Sequence, residues 1–201
     1  MIDIYVKYRP TEFTLNADNI LKEAQLADTK RITQIALFVA LIAVCSQIAI
    51  PLPMGVPINL ALFAVFMCAM LLPLKQSMAA VLIYLLLGFV GVPVFAGFRA
   101  GPSSLLGKTG GYLIGYLLCT FIIGISREKI NSPIKRMAAM LFGLIGCYTF
   151  GTLWFVKLTN IGIIQSLGYC VIPFIPGDIV KIISASLLVP RIQSALKLKT
   201  A

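Results

Sequence analysis

Apolar residues gather into six long stretches, near residues 32–50, 58–74, 77–95, 109–125, 137–156 and 167–190, separated by short polar, glycine-rich or proline-rich interruptions. A helix that crosses a bilayer needs roughly 20 predominantly apolar residues, so each stretch is long enough to span or nearly span one. The pattern predicts an all-α, polytopic integral membrane protein with six transmembrane helices. The membrane domain occupies residues 31–195, preceded by a tail over 1–30 and followed by a short tail over 196–201. The first tail carries Asp3, Lys7, Arg9, Glu12, Asp18, Lys22, Glu23 and Asp28. That density of charge does not fit the apolar core of a cleaved signal peptide. Ile20, Leu21, Ala24 and Ala27 recur there at near-helical spacing, as in an amphipathic helix on the membrane surface or a solvated leader helix.

Composition agrees with this reading. Of 201 residues, 59% are hydrophobic and 12% charged, against about half and a quarter in soluble domains, so the bilayer is the main solvent. A net charge of +10 would suggest nucleic acid binding in a soluble protein, but here the distribution of cations points to topology instead. Thirteen of the 17 basic residues fall on one side: five up to Arg31, Lys75, Arg127, Lys129, Lys135 and Arg136 in connections, and Arg191, Lys197 and Lys199 at the end. Arg99, Lys108 and Lys157 fall on the other. The positive-inside rule then places both termini in the cytoplasm. Cys45, Cys68, Cys119, Cys147 and Cys170 all lie in apolar stretches, with no C-x-x-C pair and no histidine in the chain, so they read as small apolar filler and predict no metal site.

Function shows where a membrane protein keeps groups that lipid rejects. An ionisable residue near mid-bilayer costs about 2.5–3.5 kcal/mol on insertion scales, and the last stretch holds two, Asp178 and Lys181, three residues apart on one helix face. Pro176 suits the first turn of a helix, so the final helix is expected to begin there, with Asp178 in the turn where the dipole favours an anion. The pair either serves a ligand or neutralises itself as a private ion pair. The connection Gly91–Tyr112 holds six of the chain's 16 glycines together with Arg99 and Lys108. It predicts either a folded-back cap whose cations attract an anion or a tight turn with stray charges. Gly107-Lys108-Thr109 resembles the end of a phosphate-binding loop, but the motif's first glycine is missing, since Pro102 stands in its place. In the first stretch Ala36, Ala40 and Ala43 put small residues on one face, which suits internal packing and partner docking equally. Tyr84, Tyr112, Tyr148, Trp154 and Tyr169 either line a pocket or anchor at the interface.

Gly91-Val92-Pro93-Val94-Phe95-Ala96-Gly97, the run Gly107 to Gly115, and Phe174-Ile175-Pro176-Gly177-Asp178 with Lys181 resemble the biotin-specific S-component of energy-coupling-factor (ECF) transporters, the BioY family. The resemblance extends over roughly residues 30–195. It implies a cell-membrane protein without enzymatic activity or cofactor, binding biotin as a transported ligand. Its implied partners are a transmembrane coupling subunit, two ATPase subunits and the lipid bilayer, with no nucleic acid. Asp178 and Lys181 would then hydrogen-bond the ureido ring, and Gly97, Gly101, Gly107, Gly110 and Gly111 would shape a lid with Tyr112 against the ligand. Ala36, Ala40 and Ala43 would face the coupling subunit. Asn59 and Ala61 stand where the family usually has threonine and glutamine, Phe98-Arg99 where small or amide residues are usual, and Lys108 in place of a proline. Arg99 then either replaces an amide contact to the ring or pairs with the ligand carboxylate. With Tyr84 lining the pocket, these residues make up the expected substrate site. Two other readings are an S-component for another small vitamin, which would not need Asp178 and Lys181, and an intramembrane enzyme. For the enzyme the usual machinery is missing, apart from a formal Ser-Lys dyad of Ser184 or Ser186 with Lys181.

Overall fold

A computed structural model of the chain describes residues 10–50 and 57–195. The ends of both tails, residues 1–9 and 196–201, lie outside the described residues, Lys197 and Lys199 among them. The described residues form eight α-helices and one small two-stranded pairing. The first helix, α1, is Pro10–Gln47. The chain divides into two compact units between Gln34 and Ile35. In the first unit, residues 25–33 are exposed and Arg31 pairs with Asp28 at 3.3 Å.

In the second unit each remaining apolar stretch carries a helix. Four helical segments are long and apolar enough to cross a membrane: Gln25–Gln47, Gly110–Lys129, Pro133–Thr159 and Ile163–Ala195. Two apolar helices are shorter, α2 (Ala61–Leu71) and α3 (Leu74–Val90). The stretch expected over 58–74 is thus helical only in its middle, for local reasons. At its start Ile58–Asn59 (β2) pairs antiparallel with Ala49–Ile50 (β1), and the Asn59 side chain accepts the Ala61 N–H at 3.1 Å. At its end Leu72 is extended because it precedes Pro73, whose ring disfavours a helical neighbour. Ten of the eleven residues of α2 are buried, as expected of a helix that is apolar all round. It is the central element, packed on α3, α5 (Gly110–Ser126) and α8 (Ile175–Ala195).

The most extensive packing is between α5 and α6 (Pro133–Thr159), and it rests on glycine. A Cβ on Gly111 would stand 2.3 Å from Cβ of Trp154, and one on Gly151 2.2 Å from the Tyr112 ring. Close approach of backbones through small residues is the usual basis of helix association in lipid. The opposite faces stay apolar and open, with Phe121, Ile125, Phe142, Ile145 and Leu153 all exposed, which suits lipid and not water.

Two arginines that the sequence marks as topology signals also complete helix backbones. Arg127 donates from Nε to the Met70 carbonyl at 3.1 Å and from Nη2 to Leu71 at 3.4 Å, satisfying carbonyls that the end of α2 leaves without partners. Pro190 lies inside α8 and has no N–H, so the Ser186 carbonyl four residues earlier loses its helical donor. Arg136 Nε supplies one at 3.3 Å, while Ser186 Oγ donates to Pro133 O at 3.3 Å. Arg136→Met is therefore expected to cost about 1–3 kcal/mol by leaving that carbonyl bare. In a Pro190→Ala background, which restores the N–H, the same change is expected to be nearly neutral. A double-mutant cycle on thermal unfolding checks this, and equal losses in both backgrounds would contradict it.

Candidate functional site

The last apolar stretch is broken, as its prolines and glycine imply. A short helix, α7 (Ile163–Cys170), is followed by a 3-10 turn over Ile172–Phe174, and α8 starts at Ile175. Asp178 lies in the first turn of α8, where unpaired N–H groups and the helix dipole favour its negative charge. One turn on, Lys181 Nζ donates to Asp178 Oδ1 at 2.7 Å. Asp178 is 2% exposed and Lys181 6%, so two charges sit in an interior that neither would tolerate alone. The Tyr148 hydroxyl, from α6, donates to the second carboxylate oxygen, Oδ2.

This cluster forms one wall of a cavity that is partly open to solvent. Tyr112, Leu113 and Tyr116 of α5 and Cys147 of α6 form a second wall. Asn59 and Leu62 close the α2 side, Cys170 comes from the end of α7 and Phe174 from the turn before α8. The fourth side is the connection after α3, which folds back as the glycines predict. Gly91 ends α3 at φ 115°, and the Gly101 N–H returns to the Gly88 carbonyl at 2.7 Å. Between them Phe95 and Arg99 pair backbone to backbone at 3.1 and 3.2 Å around a turn in which Gly97 has φ 71°. Helix α4 (Pro102–Leu106) follows, and Trp154 Nε1 on α6 fastens the connection by donating to Gly107 O at 3.1 Å. Phe95, Ala96, Arg99 and Ser104 face the cavity from this side.

Of the residues expected at the site, Asp178, Lys181, Arg99, Tyr112 and Asn59 line this cavity. Gly97, Gly111, Lys108 and Tyr84 do not. Gly97 shapes the turn, Gly111 admits Trp154 to the helix seam, and Lys108 is exposed just before α5. Tyr84 is fully buried, with its ring edge-on to Phe95 at 5.5 Å and its hydroxyl donating to Val94 O at 3.4 Å. It supports the cap from beneath. The private ion pair, posed as the alternative to a ligand site, forms, and both its members also line the cavity. Tyr116, Phe174 and the thiols of Cys147 and Cys170 also line it, although the sequence reads the cysteines as filler. For Tyr148 there was a signal, an aromatic residue among Gly143, Cys147 and Gly151 on the face of α6 that packs inward. Ala36 and Ala40 are exposed on α1 and Ala43 is half-buried, so the small-residue face of α1 points largely away from the core.

The carboxylate keeps free lone pairs and the ammonium keeps two of its three donors, so the wall can receive N–H groups and donate to an oxygen within one helical turn. Fold and cavity together describe a multi-pass membrane protein with a short polar wall in a largely apolar cavity. Residues 18–198 match the BioY family model, and the chain belongs to the BioY family. A probable biotin transporter BioY of Pyrococcus horikoshii is 38% identical over 164 residues, 82% of this chain and 96% of that protein. The biotin transporter BioY of Thermotoga maritima is 36% identical over the same shares. Among solved structures, the S-component for biotin from an ECF-type ABC transporter superposes with TM-score 0.77 at 31% identity, covering 84% of this chain and 93% of that one.

Proposed function

We propose that this chain is the biotin-binding S-component of an ECF-type importer, a transport protein and not an enzyme, resident in the cell membrane. The observation that carries the proposal is the Asp178–Lys181 pair, buried at 2.7 Å yet facing a cavity with hydrogen-bonding capacity unspent. A cyclic urea offers two N–H donors beside one carbonyl acceptor, which is the complement of a carboxylate next to an ammonium. Phe95, Leu62, Tyr116 and Phe174 supply apolar walls for a fused, sulfur-containing ring. Asn59 adds a further polar group and Tyr112 an aromatic side.

In this reading the six apolar helical stretches span the membrane, α2 and α3 among them, with both termini in the cytoplasm. The cavity then opens outward, so biotin is captured from outside. Release inward is driven by a coupling subunit that docks on the Ala36, Ala40 and Ala43 face and by two ATPase subunits. Purified protein is expected to bind labelled biotin saturably with one site per chain, and absence of saturable binding would sink the proposal. Arg99 and Lys108, exposed at the outer end, are assigned to drawing in the biotin anion. Arg99→Gln and Lys108→Pro are expected to slow association at low salt more than at high salt. Association rates equal to wild type at both would remove that role.

A further inference from the structure

The wall of the cavity formed by Phe95, Ala96 and Arg99 is held in a conformation that its own residues do not favour. Phe98, at the end of the turn, has φ 56° and is 72% exposed. A bulky residue in the left-handed region is strained, and an exposed ring gains little packing to offset the strain. What holds the turn comes from another element. Gln47, the last residue of α1, accepts the Phe98 N–H on its side-chain oxygen at 3.0 Å and donates from Nε2 to the Phe95 carbonyl at 3.2 Å. The side-chain amide thus plays the part of a neighbouring peptide group, bridging both arms of the turn. Beside it Ser46, fully buried, donates to the Val94 carbonyl.

We infer that Gln47 is a positioning residue for ligand retention: it does not itself line the cavity, but clamps the strained Phe95–Arg99 turn as the outer wall of the cavity. This rests on the biotin reading for its kinetic consequence but not for its structural one. Loss of the clamp frees the turn to leave the left-handed conformation and takes Phe95 and Arg99 off the cavity, so bound ligand escapes faster while entry is little changed.

The test uses full-length protein carrying Gln47→Leu, alone and with Phe98→Gly, since glycine adopts a positive φ without strain and lets the turn hold itself. Gln47→Leu is expected to speed labelled-biotin dissociation about tenfold, the equivalent of about 1.4 kcal/mol, with association within about twofold of wild type. The double variant is expected to return most of the way to the wild-type rate. A merely structural role would lower the melting temperature without this selective effect on dissociation and without rescue by Phe98→Gly. Hydrogen exchange on ligand-free protein decides the structural part whether or not biotin binds. Peptides covering Phe95–Arg99 are expected to lose protection in Gln47→Leu, while Gly101, held by Gly88, keeps it. Unchanged exchange over Phe95–Arg99 overturns the inference. Unchanged dissociation in a protein that binds biotin overturns it too, and leaves the biotin assignment standing.

Discussion

Asp178→Asn and Lys181→Met, each made alone, are expected to abolish tight biotin binding and to destabilise the protein, whereas the two together restore stability without restoring binding. Either single change leaves its partner charge buried and uncompensated, at 2% or 6% exposure, a situation that costs about 3–5 kcal/mol. Removing both charges at once avoids that cost, because nothing ionised remains in the interior. Binding follows different logic. Each charged group is worth about 1.5–3 kcal/mol in a ligand hydrogen bond, so losing both lowers affinity by a hundredfold or more. Thermal unfolding in detergent and equilibrium biotin binding read the two effects separately. A double variant that binds like wild type would return the pair to a private role. One that melts as low as the single variants would mean that unpaired charge is not what unfolds them.

Gly115→Leu is expected to have the next largest effect. A Cβ there would lie 2.9 Å from Sγ of Cys147, 3.1 Å from its carbonyl oxygen and 3.3 Å from its Cα. The sulfur can rotate aside but the backbone cannot, so a leucine drives α5 and α6 apart along their main contact. Overpacking costs about 1–3 kcal/mol or more. Cys147 and Tyr148 stand on the displaced wall, so biotin affinity falls together with melting temperature. Gly115→Ala, with one carbon to place, is expected to do much less. A leucine variant that melts like the wild type would show that the helices do not meet as closely as described.

The sequence announces most of this architecture because lipid leaves few choices. Backbone polar groups must be paired within each helix, so each of the six apolar stretches carries a helix over at least part of its length. The break before α8 was legible in Pro173, Pro176 and Gly177, and the Asp178–Lys181 pair in a spacing that only a shared helix face explains. The short α2 was harder to foresee, since its ends are set by one asparagine side chain and one proline inside a stretch that stays apolar throughout. Aromatic residues were the least legible. Tyr84, Tyr112 and Tyr148 look alike in sequence, yet Tyr84 props the cap, Tyr112 faces the cavity and Tyr148 holds the carboxylate. Only packing between distant helices separates those roles. Likewise Arg127 and Arg136 carry a topology signal that hides their work on open helix carbonyls, because the partner carbonyl is remote in sequence.

The placement of both buried charges on one turn of α8 also limits what the pair can do at a distance. A carboxylate and an ammonium 2.7 Å apart cancel, so the wall acts as a dipole and not as an ion. A dipole's potential falls with the square of distance and depends on angle, where that of a single charge falls only with distance itself. The pair therefore acts at contact, where orientation counts, and leaves any pull on a distant anion to exposed cations such as Arg99 and Lys108.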